Sequence, residues 1–286
     1  MTALALVLVL SAAVIHATWN YLAKRIGVTS QDGWLFAALA VIVYAPVVVG
    51  IVLWRRPVVG GREVFFMAGT AILHTAYFLL LFRGYQAGAL SVVYPLARGT
   101  GPLLSTVGAV AFFGERPTWL AVAGATMIGL GVFVLAGDPR RLTLRGSGQA
   151  VVYALITGGV IALYTLWDKY AVSVVGIHPL LLDWGSSIGR TVLLTPLAVR
   201  HWDSIRARVR THPFQTLAVA VLTPLAYIFV LTALAFTPVS YVAPLREVSI
   251  LAGAAMGARL LSEGDVRKRL VAAAVMVIGA VLLSVG

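Results

Sequence analysis

The chain contains an internal repeat with an offset of about 149 residues. The segment Ser91-Val92-Val93-Tyr94-Pro95-Leu96 returns as Ser240-Tyr241-Val242-Ala243-Pro244-Leu245, identical at four of six positions. Three further anchors, Trp19, Pro46 and Ile128-Gly129, recur at offsets of 148 to 150 as Trp167, Pro196 and Ile278-Gly279. Because the offset is close to half of the 286 residues, the chain is predicted to fold as two copies of one unit.

Each copy is a series of long apolar segments. The sequence is 60% hydrophobic and only 11% charged, which leaves too little polar surface for a soluble fold of this size. An apolar helix of about 20 residues crosses a hydrocarbon core of about 30 Å. Ten segments approach that length: 2–23, 33–54, 64–85, 89–113, 118–136, 149–167, 179–199, 214–235, 239–258 and 266–285.

These segments predict an all-α polytopic membrane protein with ten transmembrane helices. The predicted units are a first five-helix repeat over 1–137, a connecting loop over 138–147 and a second five-helix repeat over 148–286. Since five is odd, the second repeat must enter the membrane from the opposite side, so the repeats are expected to be inverted.

Several function classes are disfavoured by what the sequence lacks. There is no cysteine for a disulfide or a thiolate metal site, and there is no Walker loop, HExxH motif or dinucleotide glycine fingerprint. We therefore expect no enzyme, no cofactor and no metal site. The net charge of +12 comes mostly from short loops between spans, which is typical of a topology signal and not of nucleic-acid binding.

The loop charges give one prediction of orientation. Thirteen basic residues follow odd-numbered spans and five follow even-numbered spans. By the positive-inside rule this count places both termini outside the cytoplasm.

Charged residues deep within the spans are the main candidates for a site. Arg98, Arg190, Arg246, Asp183 and Glu247 fall well inside apolar segments, where an arginine costs about 2.5 to 3.5 kcal/mol even on an insertion scale. Such residues face the bundle interior or a wet cavity, and with three arginines against two acids we expect an anionic or zwitterionic ligand.

Arg98 and Glu247 are predicted to meet. They are repeat mates, separated by 149 residues, and each follows a proline by three positions. Elements related by the repeat axis tend to meet at the bilayer midplane, where inverted-repeat transporters keep their substrate. The alternative is that the pair only ties two spans together as a buried ion pair.

Polar and aromatic residues on the same spans complete the candidate site. His16 lies one turn before Trp19 and Asn20, and His74 is a second deep histidine that could instead be a packing residue. The remaining candidates for the lining of a substrate cavity are Tyr77, Tyr94, Trp167, Asp168, Tyr227 and Tyr241.

The end of the first repeat resembles a known family. The segment Gly114-Glu115-Arg116-Pro117-Thr118-Trp119, followed by Gly124 and Ile128-Gly129-Leu130-Gly131, resembles the end of an EamA domain of the drug/metabolite transporter superfamily, and Ser262-Glu263 with Ile278-Gly279 resembles the same ending in a second copy. The resemblance implies a basket-like bundle whose central cavity is lined by spans 1, 3, 4, 6, 8 and 9. It also implies export of small metabolites such as amino acids, an inner-membrane location and cytoplasmic termini, the last in conflict with the loop charge count.

Three functions are consistent with these features. The first is a secondary transporter of a small anionic or zwitterionic metabolite, the second a flippase for an amphipathic or lipid-linked substrate, and the third a membrane-embedded transferase. A transferase would need an acid/base pair near one interface, whereas the deep charges lie near mid-span. A row of small residues on the ninth span, Ser249, Gly253 and Gly257, favours close helix packing and would also permit a homodimer.

Overall fold

The computed structural model of the protein describes residues 1–87, 90–136, 148–250 and 266–286, apart from the side chains at 24, 90–92, 94–95, 135–136 and 266–270. Within these residues the chain is helical. The helices are α1 (Ala3–Arg25), α2 (Asp32–Arg55), α3 (Gly61–Ala87), α4 (Leu90–Phe113), α5 (Trp119–Ala136), α6 (Gly148–Ser173), α7 (Pro179–Arg200), α8 (Trp202–Thr211), α9 (Pro213–Phe236), α10 (Val239–Arg246) and α11 (Val266–Val285).

The helices are those of a polytopic membrane protein. Five of the described ones are long and apolar enough to cross a membrane, namely α1, α2, α3, α6 and α9, and α5 and α11 contain shorter apolar stretches. Large apolar side chains remain exposed on the outer surface of the bundle, including Ile42 at 67% and Val107 at 67%. In water such a surface would promote aggregation, whereas in lipid it is the expected exterior.

The ninth predicted span differs from its expected form. The sequence predicts one apolar segment over 239–258, but α10 ends at Arg246, and Glu247 lies in a turn before the chain becomes helical again at 248–250. Residues 251–258, with Gly253 and Gly257 of the small-residue row, lie outside the described residues. Pro244 lacks a backbone N–H and so weakens this segment, but Pro46, Pro196 and Pro224 lie within continuous helices, so proline alone does not account for the break.

The packing of the helices follows the repeat. The helices that correspond to α1 and α9 in the other repeat are α6 and α3. The pair α1 and α9 packs extensively, and so does the corresponding pair α6 and α3. The mates α2 and α7, α4 and α10, and α5 and α11 pack against each other. The ends of α1 and α6 match too, because Gly27 and Gly176, separated by 149 residues, both adopt positive φ, at 64° and 79°.

The segment between α4 and α5 fixes the start of α10. Gly114 turns the chain at a φ of 63°, and Thr118 Oγ1 accepts the N–H of Ala121 at the start of α5. The carboxylate of Glu115 accepts the N–H groups of Val239 at 2.7 Å and Ser240 at 2.9 Å. A carboxylate is favourable there because it satisfies two orphan donors at the positive end of the helix.

The basic loop 200–213 contains the short helix α8. It exposes Trp202 and Val209 and buries Ile205. Arg208 lies 3.2 Å from the buried carboxylate of Asp32 and donates to the carbonyls of Ile26 and Gly27. One arginine of the second half therefore fixes the α1–α2 turn of the first half.

Candidate functional site

Arg98 and Glu247 form an ion pair inside the bundle, as their repeat relationship predicts. Arg98 Nε lies 2.9 Å from Glu247 Oε2, and the two residues are 3% and 2% exposed. Arg98 Nη2 also reaches Ser249 Oγ at 3.5 Å. Neither charge faces the outer surface, so the cost of burying each is offset by the other.

The break in the ninth span positions Glu247. Its N–H donates to Pro244 O at 3.0 Å, and its carbonyl accepts the N–H of Ile250 at 2.9 Å, so the backbone here uses i to i+3 hydrogen bonds. This tighter turn places Arg246 and Glu247 side by side, with Arg246 Nε 3.8 Å from Glu247 Oε1. Irregular backbone inside a membrane protein is tolerated where protein groups or a cavity surround it.

Arg246 connects this pair to an aromatic group. Its Nη2 donates to Tyr164 OH at 3.4 Å, and its Cζ lies 5.8 Å from the centroid of the Tyr164 ring. The Tyr164 ring lies 4.4 Å from the His74 ring and 6.4 Å from the Tyr227 ring. Tyr77 joins the same group, with its ring 5.8 Å from that of Tyr164.

A second polar group surrounds Asp168, which is fully buried. Asp168 Oδ1 accepts the hydroxyl of Thr70 at 2.5 Å. Asp168 Oδ2 accepts the hydroxyl of Tyr227 and lies 3.2 Å from His74 Nε2, which is also 3.2 Å from Tyr227 OH.

Together these contacts form one continuous path through the bundle, which we call the polar chain. Its members are Thr70, Asp168, Tyr227, His74, Tyr164, Arg246, Glu247, Arg98 and Ser249. They lie on α3, α4, α6, α9 and the ninth span, which consists of α10 and the residues after it. These are five of the six spans that the family resemblance implies for the cavity. The remaining one of these six spans is α1, and His16 on α1 lies beside the polar chain.

His16 belongs to a local cluster on α1. Its Nδ1 accepts the indole N–H of Trp19 at 3.2 Å, and its carbonyl accepts the side-chain amide of Asn20 at 2.7 Å. The charges of Arg98 and Arg246 act on the His16 ring. The three residues singled out on α1 therefore do lie together, beside the polar chain.

Asp183 and Arg190 form a separate pair on α7. Arg190 Nη2 lies 3.6 Å from Asp183 Oδ1 and donates to Ser187 Oγ at 2.7 Å. The Arg190 side chain is 22% exposed, whereas that of Asp183 is 5% exposed. The pair lies within electrostatic reach of the polar chain, since Arg190 acts on His74 and Asp168 acts on Asp183.

Besides the α1 cluster and the α7 pair, three predicted site residues are not joined to the polar chain by a described contact. Trp167 donates its indole N–H to Phe66 O at 3.1 Å and packs against the Phe65 and Phe66 rings, which makes it part of the α3–α6 interface. Tyr241 donates its hydroxyl to Gly286 O at 3.2 Å. The side chain of Tyr94 lies outside the described residues.

The length of α6 changes the charge balance predicted for the site. The predicted sixth span ended at 167, which left Asp168 outside it, but α6 continues to Ser173 and Asp168 is buried. The described spans therefore hold Arg98, Arg190, Arg246 and the half-buried Lys169 against three acids, Asp168, Asp183 and Glu247. The arrangement offers separate positive and negative positions.

Sequence reasoning also missed Thr70, Tyr164 and Ser249. Tyr164 is four residues before Asp168, so it shares a helix face with a charged residue, and that spacing could have identified it. Thr70 and Ser249 carry no comparable signal, because small hydroxyl side chains are common in membrane helices and bond their own backbone.

A small pocket lies beside the Arg98–Glu247 pair, between α4, α5 and α10. Its walls include Gly99, Pro102, Gly129 and Pro244, and it has room for about one water molecule. Entry of a metabolite at this position would require the helices to separate.

Comparison with known proteins agrees with this architecture. A solved crystal structure, described only as that of a protein, superposes with a TM-score of 0.70 at 15% sequence identity, covering 96% of this chain and 98% of that one. That likeness shows a shared fold. Residues 3–137 match the EamA-like transporter family. The first half of the chain is therefore similar to members of that family.

Proposed function

We propose that the protein is a secondary exporter of a small zwitterionic or anionic metabolite, such as an amino acid, in the cell inner membrane. Two inverted five-helix repeats, ten spans in all, would expose a central cavity to each side in turn. The observation that carries the proposal is the polar chain, a continuous series of buried and half-buried polar and charged side chains within an apolar bundle.

The cost of the polar chain favours a transport role. Buried arginines and carboxylates within spans are expensive, and they mark substrate or ion pathways. The members come from α3, α4, α6, α9 and α10, so no single helix–helix contact needs all of them. A purely structural ion pair would require only Arg98 and Glu247.

The arrangement of charges favours a zwitterionic substrate. Among the described residues Arg246 contacts Tyr164 at 3.4 Å and Glu247 at 3.8 Å, and its guanidinium could donate two hydrogen bonds to a substrate carboxylate. On the other side of Tyr164, the Asp168 carboxylate and the Tyr164 and Tyr227 rings provide negative charge and aromatic faces for an ammonium group.

The symmetric packing of the helices supports alternating access. In inverted-repeat transporters the two repeats move against each other around a fixed midplane site. Here α3 packs on α6 as α1 packs on α9, and the break at Glu247 provides irregular backbone beside the site. We infer cytoplasmic termini from the family resemblance.

A ligand screen by thermal shift on the purified protein tests this function. A substrate that binds only the folded protein stabilises it, by about 2.7 kcal/mol at a concentration 100 times its Kd. We expect stabilisation by an amino acid or a related zwitterion, a weaker shift in Arg246→Lys and none in Arg246→Gln.

The control is Arg206→Gln, which changes an exposed arginine on α8 and should respond like the wild type. Hits in the screen are then assayed for movement out of proteoliposomes. If only lipid-linked or amphipathic compounds stabilise the protein, the exporter proposal is wrong and the flippase function takes its place.

A further inference from the structure

The structure describes four buried carboxylates, and one of them differs from the rest in its partner. Asp32, Asp183 and Glu247 each lie within 4 Å of an arginine, namely Arg208, Arg190 and Arg98. Asp168 is the most buried of the four, and its ion-pair partner among the described residues is His74. An arginine remains charged at every accessible pH, but a histidine does not.

The contacts of Asp168 are suited to hold a proton. Its Oδ1 accepts from Thr70, and its Oδ2 is shared by Tyr227 OH and His74 Nε2. Hydroxyl donors stabilise the carboxylate, but they cannot neutralise it. Only a proton, on Oδ2 or on the imidazole, cancels the buried charge of this group.

Other charges face this group from neighbouring helices. Arg190 and Arg246 act on His74 from α7 and α10, Asp183 faces Asp168 from α7, and Tyr164 faces Tyr227 from α6. The two arginines favour the unprotonated group, whereas Asp183 favours the protonated one. Asp183 is itself paired with Arg190 on α7.

The same group lies next to the position proposed for the substrate. The His74 ring lies 4.4 Å from the Tyr164 ring, and Tyr164 OH accepts from Arg246. An ammonium group held beside Tyr164 would therefore gain from the negative charge of Asp168. A proton shared by Asp168 and His74 would remove that gain.

We propose that Asp168 and His74 together bind one proton, and that this proton alternates with the ammonium group of the substrate. The proton enters from water on one side, rests between Asp168 Oδ2 and His74 Nε2, and leaves to the other side after the bundle has changed its access. Exchange of one proton for one substrate rests on the proposed function, but proton binding by Asp168 and His74 does not.

Proton binding is tested first, without any substrate. The purified protein is titrated in weakly buffered detergent solution between about pH 5 and 8, the range in which a histidine group titrates. We expect the wild type to take up about one proton more than Asp168→Asn. The control is Asp203→Asn, an exposed aspartate on α8, which should take up as many protons as the wild type in that range.

A second variant keeps the test decisive if Asp168→Asn fails to fold. Tyr227→Phe keeps the ring and removes one donor that stabilises the ionised carboxylate, so the proton should be held to higher pH. Its uptake midpoint should rise relative to the wild type. Equal uptake in wild type and Asp168→Asn, or an unmoved midpoint in Tyr227→Phe, overturns the proposal.

Transport tests the coupling separately. In proteoliposomes an imposed pH gradient should drive alanine, or another zwitterion found in the thermal-shift screen, through the wild type, and Asp168→Asn should show only the flux of protein-free liposomes. Flux through the wild type that ignores the gradient overturns the exchange. If the proton is bound but no metabolite moves, the exporter function fails and the proton site stands.

Discussion

At the scale of single residues, the Arg98–Glu247 pair places two opposite charges inside the apolar bundle. Both side chains are almost fully buried, and they lie 2.9 Å apart. A buried pair adds little net stability relative to apolar residues, because desolvation offsets attraction, but the loss of one partner leaves an uncompensated charge. The consequences for folding and for transport can therefore be separated.

The effects of the pair on folding and on transport can be separated by replacing each partner alone and then both together. Arg98→Met and Glu247→Met should each lower the free energy of unfolding by about 3 to 5 kcal/mol, whereas the double variant should recover most of the loss. Thermal unfolding in detergent measures the stability, and proteoliposome flux measures the activity.

The double variant decides the role of the pair. Under the proposed function it folds but does not transport, because the site has lost both charges. A folded and fully active double variant would mean that the pair only ties α4 to the turn after α10. Arg206→Met, an exposed substitution on α8, controls for the removal of an arginine as such.

The residues of the site were only partly predictable from the sequence. The offset of 149 residues identified Arg98 and Glu247 as mates, and an in-plane axis brings mates together. Asp168 was a candidate, but its burial depends on where α6 ends, and hydropathy places span ends only within a few residues. The contacts of Thr70 depend on the rotation of α3 against α6, which no local pattern encodes.

At the scale of elements, glycines set the distance between α5 and α11. A β-carbon added to Gly279 would lie 2.7 Å from Gly124 O, whereas one added to its repeat mate Gly129 would meet nothing within 4 Å. The resemblance to the EamA ending rests on these same glycines. Their repeat positions are equivalent in sequence, but only one of the two is at the contact.

Substitution by alanine is therefore expected to have opposite effects at Gly279 and at Gly129. Gly279→Ala should destabilise the protein by about 1 to 3 kcal/mol, because backbone atoms of α5 must move away. Gly129→Ala should be neutral or should stabilise by up to about 1 kcal/mol through helix propensity. Thermal unfolding of both variants checks this, and equal losses would mean that α5 and α11 do not pack through Gly279.

The start of α7 carries a pH-sensitive cap. His178 lies in the turn before the helix, and its Nδ1 accepts the N–H of Leu180 at 3.3 Å. Partial burial, together with the nearby charge of Arg55, lowers the pKa of His178 below its usual value. The positive end of the helix also disfavours an imidazolium ion.

The sign of the effect on stability follows from that lowered pKa. The contribution of His178 is complete above the usual histidine pKa of about 6.5 and is lost as the pH falls through the lower value of the folded state. His178→Asn keeps a capping oxygen that does not titrate. The free energy of unfolding is measured against pH for the wild type and for this variant. The difference between the two should show that the wild type loses stability at acidic pH, and a difference that does not vary with pH would show that the ring does not cap α7.

The elements themselves were largely predictable, with one informative exception. The helices outside the ninth span follow the apolar segments, since a backbone in lipid has few alternatives to a helix. The sequence predicted one continuous segment over 239–258 and did not predict the break at Glu247, although the segment contains Pro244. Whether a proline bends or breaks a helix depends on which neighbours satisfy the freed carbonyls.

At the scale of the whole molecule, the two halves are connected by extensive helix packing and by a few specific polar contacts. Glu115 of the first half caps α10 of the second, and Arg208 of the second fixes the turn between α1 and α2 of the first. The sequence predicted two repeats but not which helices meet. Contacts such as α1 with α9 and α3 with α6 become visible only in three dimensions, because each repeat separately leaves these faces unpaired.

The inverted arrangement can be tested directly, because the protein has no cysteine. Arg25 and Val174 are separated by 149 residues, end the mated helices α1 and α6, and are both exposed. Arg25→Cys and Val174→Cys should react with a membrane-impermeant maleimide from opposite sides of the membrane, since five spans separate them. Ile42→Cys, whose side chain faces outward from α2, should react from neither side because lipid covers it.

With cytoplasmic termini, Arg25→Cys reacts from outside the cell, whereas the loop charge count predicts reaction from the cytoplasm. Labelling of both end positions from one side would mean that the halves are parallel, and alternating access by inverted repeats would then be excluded.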